Sequence, residues 1–389
     1  MVKDLKVLEL ASVLAGPSVG QFFAELGAEV IKVENLRSAG DVTRTWRVKD
    51  EKTDDRSAYF CSVNWGKKSI AIDLNRIEGK QIVYDLSRRC DILISSFKAG
   101  DAEKLGVGYE TISSLNPQVI YAQITGFGPI NPRVGYDAVV QAESGFMYMN
   151  GEPGGASLKM PVALMDILAA HHLKEGILLA LLQRAEASRG QFLEVSLMQA
   201  AIASLANQAT NWLVAGCIPQ KQGSAHPNIS PYGDLFRSSG GQEVLLAVGN
   251  DRQFAALQKI LDLQESEVAP FQTNEQRVRN RGDLRAVLQR KIETQSLQNL
   301  TAALNEANIP FGIVKDMKQV FETPEAQEIL LHSHDRIGVR TYVGRSSENL
   351  PSHFLPPPHL GEHTHEILAQ TLARTPQSIK SMIEGGIVA

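Results

Sequence analysis

Cysteine is scarce in this 389-residue chain. Cys61, Cys90 and Cys217 are far apart, leave one over from any pairing and show no metal-ligand spacing. That excludes a disulfide framework and suits reduced thiols in a cytoplasmic protein. No run of about 18 uncharged apolar residues occurs, so no membrane span is expected. Glu9 interrupts the apolar N-terminal stretch that a signal peptide needs. Blocks of one charge are missing too: 39 basic and 43 acidic residues, net −4, are scattered, which gives no support for a nucleic-acid or membrane surface. The G-x-G-x-x-G fingerprint is absent after the first strand, where Ala15-Gly-Pro17 stands instead, and this weakens a nicotinamide-cofactor reading. There is no internal repeat. What remains is an ordinary globular composition, 43% hydrophobic, long enough for two domains or one elaborated one.

The apolar pattern alternates between strand and helix. Strands are expected at 6–10, 29–33, 67–74, 91–95, 119–123 and 192–196, with helices at 18–26, 78–89, 136–149 and 198–213. A βαβ opening of this kind favours a parallel sheet with a ligand at the carboxyl ends of its strands. The pattern changes at 216–231, a stretch of Gly, Pro and polar residues read as a linker. A hairpin around Ser238-Ser-Gly-Gly241 follows, then helices near 252–261, 284–294 and 297–308. The expected organisation is a large domain over 1–215, a linker at 216–231, a small α+β domain over 232–315, a returning linker over 316–358 that includes a helix at 317–331 and a strand at 336–343, and the large domain's last part at 359–389. His363 and His365 face different ways on a helix start, so a metal site there is not expected.

The chain is organised around Met160-Pro-Val-Ala-Leu-Met-Asp166, which opens an apolar helical run. Pro161 suits a first turn, and Ala169 and Ala170 lie on the face of Asp166. Taken alone, such an aspartate is a buried residue satisfied by a salt bridge or backbone donors. The sharper reading is a nucleophile or base in a partly dry pocket. Elsewhere Arg44, Arg47, Lys67, Lys68, Lys98 and Lys104 are candidates for a polyanionic ligand, and Phe97 offers a face to a base; singly each is a solvated charge. His171 and His172 are read as core or surface residues.

Many short motifs fall in one order: Val7-Leu-Glu-Leu-Ala-Ser-Val-Leu-Ala-Gly-Pro17, Leu26-Gly-Ala-Glu-Val-Ile-Lys-Val-Glu34, Gly40-Asp-Val-Thr-Arg44, Asn64-Trp-Gly-Lys-Lys-Ser-Ile70 and Lys104-Leu-Gly-Val-Gly-Tyr-Glu110. Ile124-Thr-Gly-Phe-Gly128, Gly135-Tyr-Asp137, Gln141-Ala-Glu-Ser-Gly145, Asp166, Gly190-Gln191 and His226-Pro-Asn-Ile-Ser-Pro-Tyr-Gly233 complete it. In this the chain resembles the class III CoA-transferases, the family of formyl-CoA transferase, carnitine CoA-transferase and the alpha-methylacyl-CoA racemases. The similarity runs from the first strand to the last helix.

The resemblance implies a Rossmann-like doubly wound parallel sheet in the large domain, and a homodimer of interlocked chains. It implies no tightly bound cofactor and no metal; coenzyme A enters as a substrate thioester. Asp166 matches the catalytic aspartate, which forms an acyl anhydride and then an aspartyl-CoA thioester. CoA contacts fall at Leu14, Ala15, Ile72, Asp73, Leu74, Asn75, Ser96, Phe97, Lys98, Lys104, Tyr136 and Met198. Gly154-Gly155 and Gly240-Gly241 are candidates for oxyanion donors. Asn35 and Asn75 stand where relatives carry basic residues, with Arg44, Arg76 or Lys32 as substitutes. Tyr136 stands where the racemase branch has histidine, and a phenol with a pKa of about 10 is a poor base at neutral pH. The transferase branch is therefore preferred over a racemase or a non-catalytic CoA-binding protein.

Overall fold

Six apolar runs become one parallel sheet. The strands are β1 (Lys6–Leu10), β2 (Glu29–Asn35), β3 (Lys67–Ile72), β4 (Ile92–Ser95), β5 (Ile120–Thr125) and β6 (Gln191–Ser196). Their order is β3-β2-β1-β4-β5-β6, with every neighbouring pair parallel. The chain fills one half outward from β1, then returns to β4 and fills the other. The crevice above the carboxyl ends of β1 and β4, where that reversal occurs, is where open sheets of this kind bind ligands. The computed structural model describes residues 2–333, 335–345, 347, 351 and 353–389.

The helices that matter below are α1 (Ala15–Glu25), α2 (Ile77–Ser87), α3 (Tyr109–Leu115), α4 (Asp137–Glu143), α5 (Leu164–Ala187), α6 (Leu197–Ala203) and α7 (Pro376–Glu384). Successive side chains of a strand point to opposite faces, and the two faces differ sharply here. Leu8, Leu10, Ile31, Val33, Ile70 and Ile72 build an apolar core with Ile82, Val83 and Leu86 of α2, Ile112 of α3 and Ile379 of α7. On the other face Glu9, Lys32 and Lys67 are buried under α1, and α5 packs on β5, β6 and α1. The outer edge of β3 is covered by the chain's last residues: Ile72 bridges Val388, and the Asp73 N–H donates to the Ile387 carbonyl at 2.9 Å.

The chain divides into two compact units. The first comprises Met1–Ser144, Met160–Ala206 and Glu328–Ala389; the second comprises Gly145–Lys159 and Asn207–Gln327. The second holds an antiparallel sheet of β7 (Tyr232–Arg237), β8 (Glu243–Ala247) and β9 (Phe311–Ile313), with Phe236, Val244, Leu246, Leu257, Leu288 and Leu300 in its core. No helix among the described residues is long and apolar enough to cross a membrane.

Several element boundaries depart from the sequence expectation. Helix α1 starts at Ala15 rather than 18, so Pro17 lies in its first turn, where a missing N–H costs nothing. Helix α5 starts at Leu164, beyond Pro161. The helix expected over 136–149 breaks at Gly145, with φ of 90°, and the one expected over 198–213 breaks at Ala206, with φ of 48°. The helix expected over 317–331 is two short helices, Met317–Phe321 and Pro324–Gln327, followed by a strand, Leu330–His332, paired antiparallel with Ile337–Val339. A Pro at 324 starts a helix more readily than it continues one.

Candidate active site

The site begins with buried charge. Lys32 Nζ lies 3.0 Å from Glu9 Oε1 and 3.0 Å from Asp41 Oδ2, and donates to the Ala11 carbonyl at 2.7 Å. Lys67 Nζ lies 2.8 Å from Glu9 Oε2 and donates to Asn64 and to the Pro17 carbonyl. Burial depresses both lysines, but three carboxylates surround Lys32 and hold it above the ordinary range, whereas Lys67 has chiefly Glu9, feels the Lys32 charge, and falls to about 8. Above them α1 passes so close that a side chain on Gly20 would strike the Glu9 carboxylate. Alongside, Arg44 grips Glu34 through Nε at 2.8 Å and Nη2 at 2.6 Å, with its guanidinium 3.8 Å over the Phe60 ring. Arg44, Lys67 and Lys32 are thus sealed into the scaffold.

This scaffold shapes the turn between β1 and α1. Val13 has φ of 72°, a strained value for a β-branched residue. Its N–H donates to Asp41 Oδ1 at 3.2 Å, and the preceding Ser12 N–H donates to Ser96 Oγ at 3.1 Å. Asp41 in turn accepts from Thr43 and is held by Lys32.

Helix α5 starts at Leu164, and the residue before it, Ala163, offers no side-chain cap. The acceptor comes from the first residue of α4: the Met165 N–H donates to Asp137 Oδ1 at 2.8 Å. Buried Gln141 donates to Asp137 Oδ2 at 2.7 Å and accepts the Met160 N–H at 2.7 Å. Gly126 and Gly135 let their two backbones touch in the same corner; a Cβ on Gly126 would sit 2.6 Å from the Gly135 Cα. Asp137 and Gln141, from two of the quoted sequence runs, therefore hold the start of one helix.

Asp166 occupies the first turn of that helix, 7% exposed, with Ala169 and Ala170 fully buried on its face. Its carboxylate receives no hydrogen bond from any described residue. Burial pushes the carboxyl up to about 7, and the nearby Asp137 charge adds to this. The positive end of α5 acts the other way, but at about 1 kcal/mol or less that is under one pH unit and does not cancel a shift of this size. Tyr59, edge-on to Trp46 at 5.2 Å, is within reach of the same charges: burial first, then Asp166, Asp137 and Asp41, raise its phenol to about 12.

Asp166 faces a cavity of about 250 Å³, lined also by Ser12, Val13, Ala15, Ser96, Phe97, Lys98, Thr125, Arg133, Tyr136 and Leu197. A second cavity of about 280 Å³ lies over the ends of β1, β2 and β4, lined by Ser12, Asn35, Ser38, Asp41, Leu74, Asn75, Ser96, Phe97 and Leu105 among others. Ser12, Val42, Ser96 and Phe97 line both, so the two make one elongated cleft.

Of the residues singled out in the sequence, the structure gathers Ala15, Leu74, Asn75, Ser96, Phe97, Lys98, Tyr136 and Asp166 along this cleft. Leu14 is the residue just before α1, and Ile72 is wholly buried in the sheet. Asp73 is bound to Arg37, Lys104 is an exposed side chain paired with Asp101 at 3.1 Å, and Met198 adjoins the cleft through its N–H, which donates to the Gly126 carbonyl. Arg47 bonds Thr53, and Lys68 pairs with Glu29 and Glu366. His171 and His172 are exposed. Gly154, Gly155, Gly240 and Gly241 belong to the second unit. Among the described residues Asp54, Asp55 and His359 lie close enough for a metal, but their acidic oxygens are already engaged by Arg44, Arg56 and Arg336. Sequence reading passed over Asp137, Tyr59 and the Val13–Asp41 contact. Asp137 stood inside a quoted motif, yet its role depends on a helix start 27 residues further on, at Leu164.

The fold and the site define a mixed α/β protein with a buried carboxyl of raised pKa in a long cleft at the switch point of a parallel sheet. The chain belongs to CoA-transferase family III, whose model matches residues 2–364. It is 37% identical over 391 residues to a succinate–glutarate CoA-transferase of Agrobacterium fabrum, covering 96% of this chain and 97% of that one. It is 34% identical over 397 residues to the succinyl-CoA:glutarate CoA-transferase of Homo sapiens, covering 100% and 90%. Among solved structures, a CAIB/BAIF family protein from Brucella suis matches with a TM-score of 0.83 and 37% identity, over 95% of this chain and 98% of that one.

Proposed function

We propose that this protein moves CoA from an acyl-CoA such as succinyl-CoA to a free carboxylic acid, with Asp166 as the nucleophile. One observation carries the reading: a carboxylate without a hydrogen-bond partner among the described residues, raised to about 7, in the wall of a cleft over the strand ends. Such a group is poorly solvated and close to its reacting form at neutral pH. It attacks the donor's thioester carbonyl; the C–S bond breaks, leaving an Asp166 acyl anhydride and CoA thiolate. The thiolate attacks the aspartyl carbonyl, releasing the donor acid and leaving an aspartyl-CoA thioester. The acceptor carboxylate and then the thiolate repeat the two steps in reverse order and restore Asp166. Each step exchanges acyl groups between a thioester and an anhydride, so the requirement is exclusion of water rather than an external oxidant or acid.

The names of the relatives support succinyl-CoA as donor and glutarate, a dicarboxylic acid, as acceptor. Ala15, Leu74, Asn75, Ser96, Phe97, Lys98 and Tyr136 are the proposed CoA contacts, since they line the cleft. The working form is a homodimer. Mass spectrometry in deuterated water, with a panel of acyl-CoA donors and free acids, tests the reading on wild type and Asp166→Ala. The expected result is a new acyl-CoA formed by the wild type alone. Uptake of deuterium alpha to the donor carbonyl without acyl exchange points instead to a racemase and overturns it.

A further inference from the structure

The end of the cleft away from Asp166 has a wall short of free positive charge. Lys32 lines it but is bound to Glu9 and Asp41, Arg44 is clamped on Glu34, and Asn35 and Asn75 are neutral. Glu34 and Asp41 add acidic groups to the same wall. A cation of a different origin stands at the rim.

Arg37 sits in the short turn Leu36–Ser38 that follows β2, its backbone N–H held by Asn35 Oδ1 at 3.0 Å. Its Nε donates to Asp73 Oδ2 at 2.8 Å, just past β3. The other oxygen of Asp73 accepts from the Asn75 N–H at 3.0 Å and from Asn75 Nδ2 at 3.2 Å. Asn35 and Ser38 on one side and Leu74 and Asn75 on the other line the cleft, so the guanidinium bridges its lip. Its Nη1 and Nη2 meet no acceptor among the described residues, and the side chain is 63% exposed. A carboxylate that fixes Nε and leaves the terminal fork open presets arginine for a second, bidentate anion.

We propose that Arg37, oriented by Asp73, binds the ribose 3′-phosphate of the CoA nucleotide; this rests on the CoA-transferase reading. With the thioester at Asp166, the nucleotide extends along the cleft towards β2 and β3. From β5 to β2, which Arg37 follows, the sheet order makes three strand spacings, about 14 Å at roughly 4.8 Å each, and the side chain reaches on to Asp73 past β3, which places Arg37 at the far, nucleotide end. The diphosphate lies between thiol and nucleoside and is nearer the middle; the terminal phosphate is the ribose one. Asp73 is here a positioning residue that acts through Arg37. Lys98 lines the Asp166 end of the cleft, and Arg76 leans towards Glu78 at 3.8 Å.

The test compares an acyl-CoA donor with its 3′-dephospho analogue on wild type, Arg37→Met, Arg37→Lys and Arg76→Met. The wild type is expected to favour the phosphorylated donor about tenfold or more in kcat/KM, through KM, the effect of one charge-assisted contact. Arg37→Met brings the ratio close to one, Arg37→Lys restores part of it, and Arg76→Met keeps the wild-type ratio. A wild type indifferent to the 3′-phosphate, or an Arg37→Met that weakens both donors in parallel, overturns the assignment. Calorimetry with CoA and dephospho-CoA needs no turnover. Discrimination in binding with no transfer would remove the transferase reading and keep Arg37, whereas transfer without discrimination would do the reverse.

Discussion

Asp137 does two jobs with one carboxylate. It accepts the Met165 N–H that starts α5, and its charge helps to raise the carboxyl carried one residue further on. With Asp166 as the proposed nucleophile, the carboxylate is the form that attacks, so kcat/KM is expected to rise with pH through about 7. Asp137→Asn keeps an oxygen for Met165 and removes the like charge, so the midpoint of that rise should move down, towards the ordinary carboxyl range. An unchanged midpoint in the pH–rate profile would mean that burial alone sets it. Asp166 draws notice in the sequence as one acidic residue in an apolar helical run, but that run by itself reads as a satisfied buried aspartate, and only the family resemblance gives it a role. Asp137 and Arg37 draw none, since each acts across a fold contact, with Met165 in one case and with Asp73, 36 residues away, in the other.

At the scale of elements, the β1–α1 turn is held by ion pairs beneath it. Asp41 ties the strained Val13 to Lys32, and Lys32 is anchored in turn on Glu9. Removing one partner of a buried pair leaves an uncompensated charge, so Asp41→Ala should lower stability by about 3–5 kcal/mol. Chemical denaturation reads this directly, and an unfolding midpoint equal to that of the wild type would show that the turn does not depend on the pair. The strand runs were legible because parallel strands covered on both faces are short and apolar. The acidic and basic residues of β1, β2 and β3 mislead in the same pattern. Lys32, Lys67 and Arg44 look like ligand contacts because charge in a sequence is ordinarily at the surface, and only the network around Glu9 and Glu34 explains their burial. Helix breaks at Gly145 and Ala206 were missed because helical periodicity survives a local change of φ.

At the scale of the whole molecule, both units carry large apolar side chains on their surfaces. In the first, Leu178, Leu179 and Leu182 of α5 and Phe192 of β6 are exposed; in the second, Trp212, Leu213, Val214 and Ile218 are. Rows of this kind are characteristic of interfaces, and sedimentation equilibrium should give twice the mass of the chain. A monomer at micromolar concentration would remove the dimer from the proposal. The change of composition near residue 216 is visible in the sequence, but the inclusion of Gly145–Lys159 in the second unit is a matter of three-dimensional contact without a compositional mark. The strap of Ile387 and Val388 over β3 also has a consequence for synthesis. On the ribosome β3 emerges long before the residues that cover it, so throughout translation the nascent sheet presents an open edge to other chains. Products that stop short of Ile387 keep the Asp73 end of that edge open even where His363 and Thr364 cover its middle, and for them the hazard is association with one another.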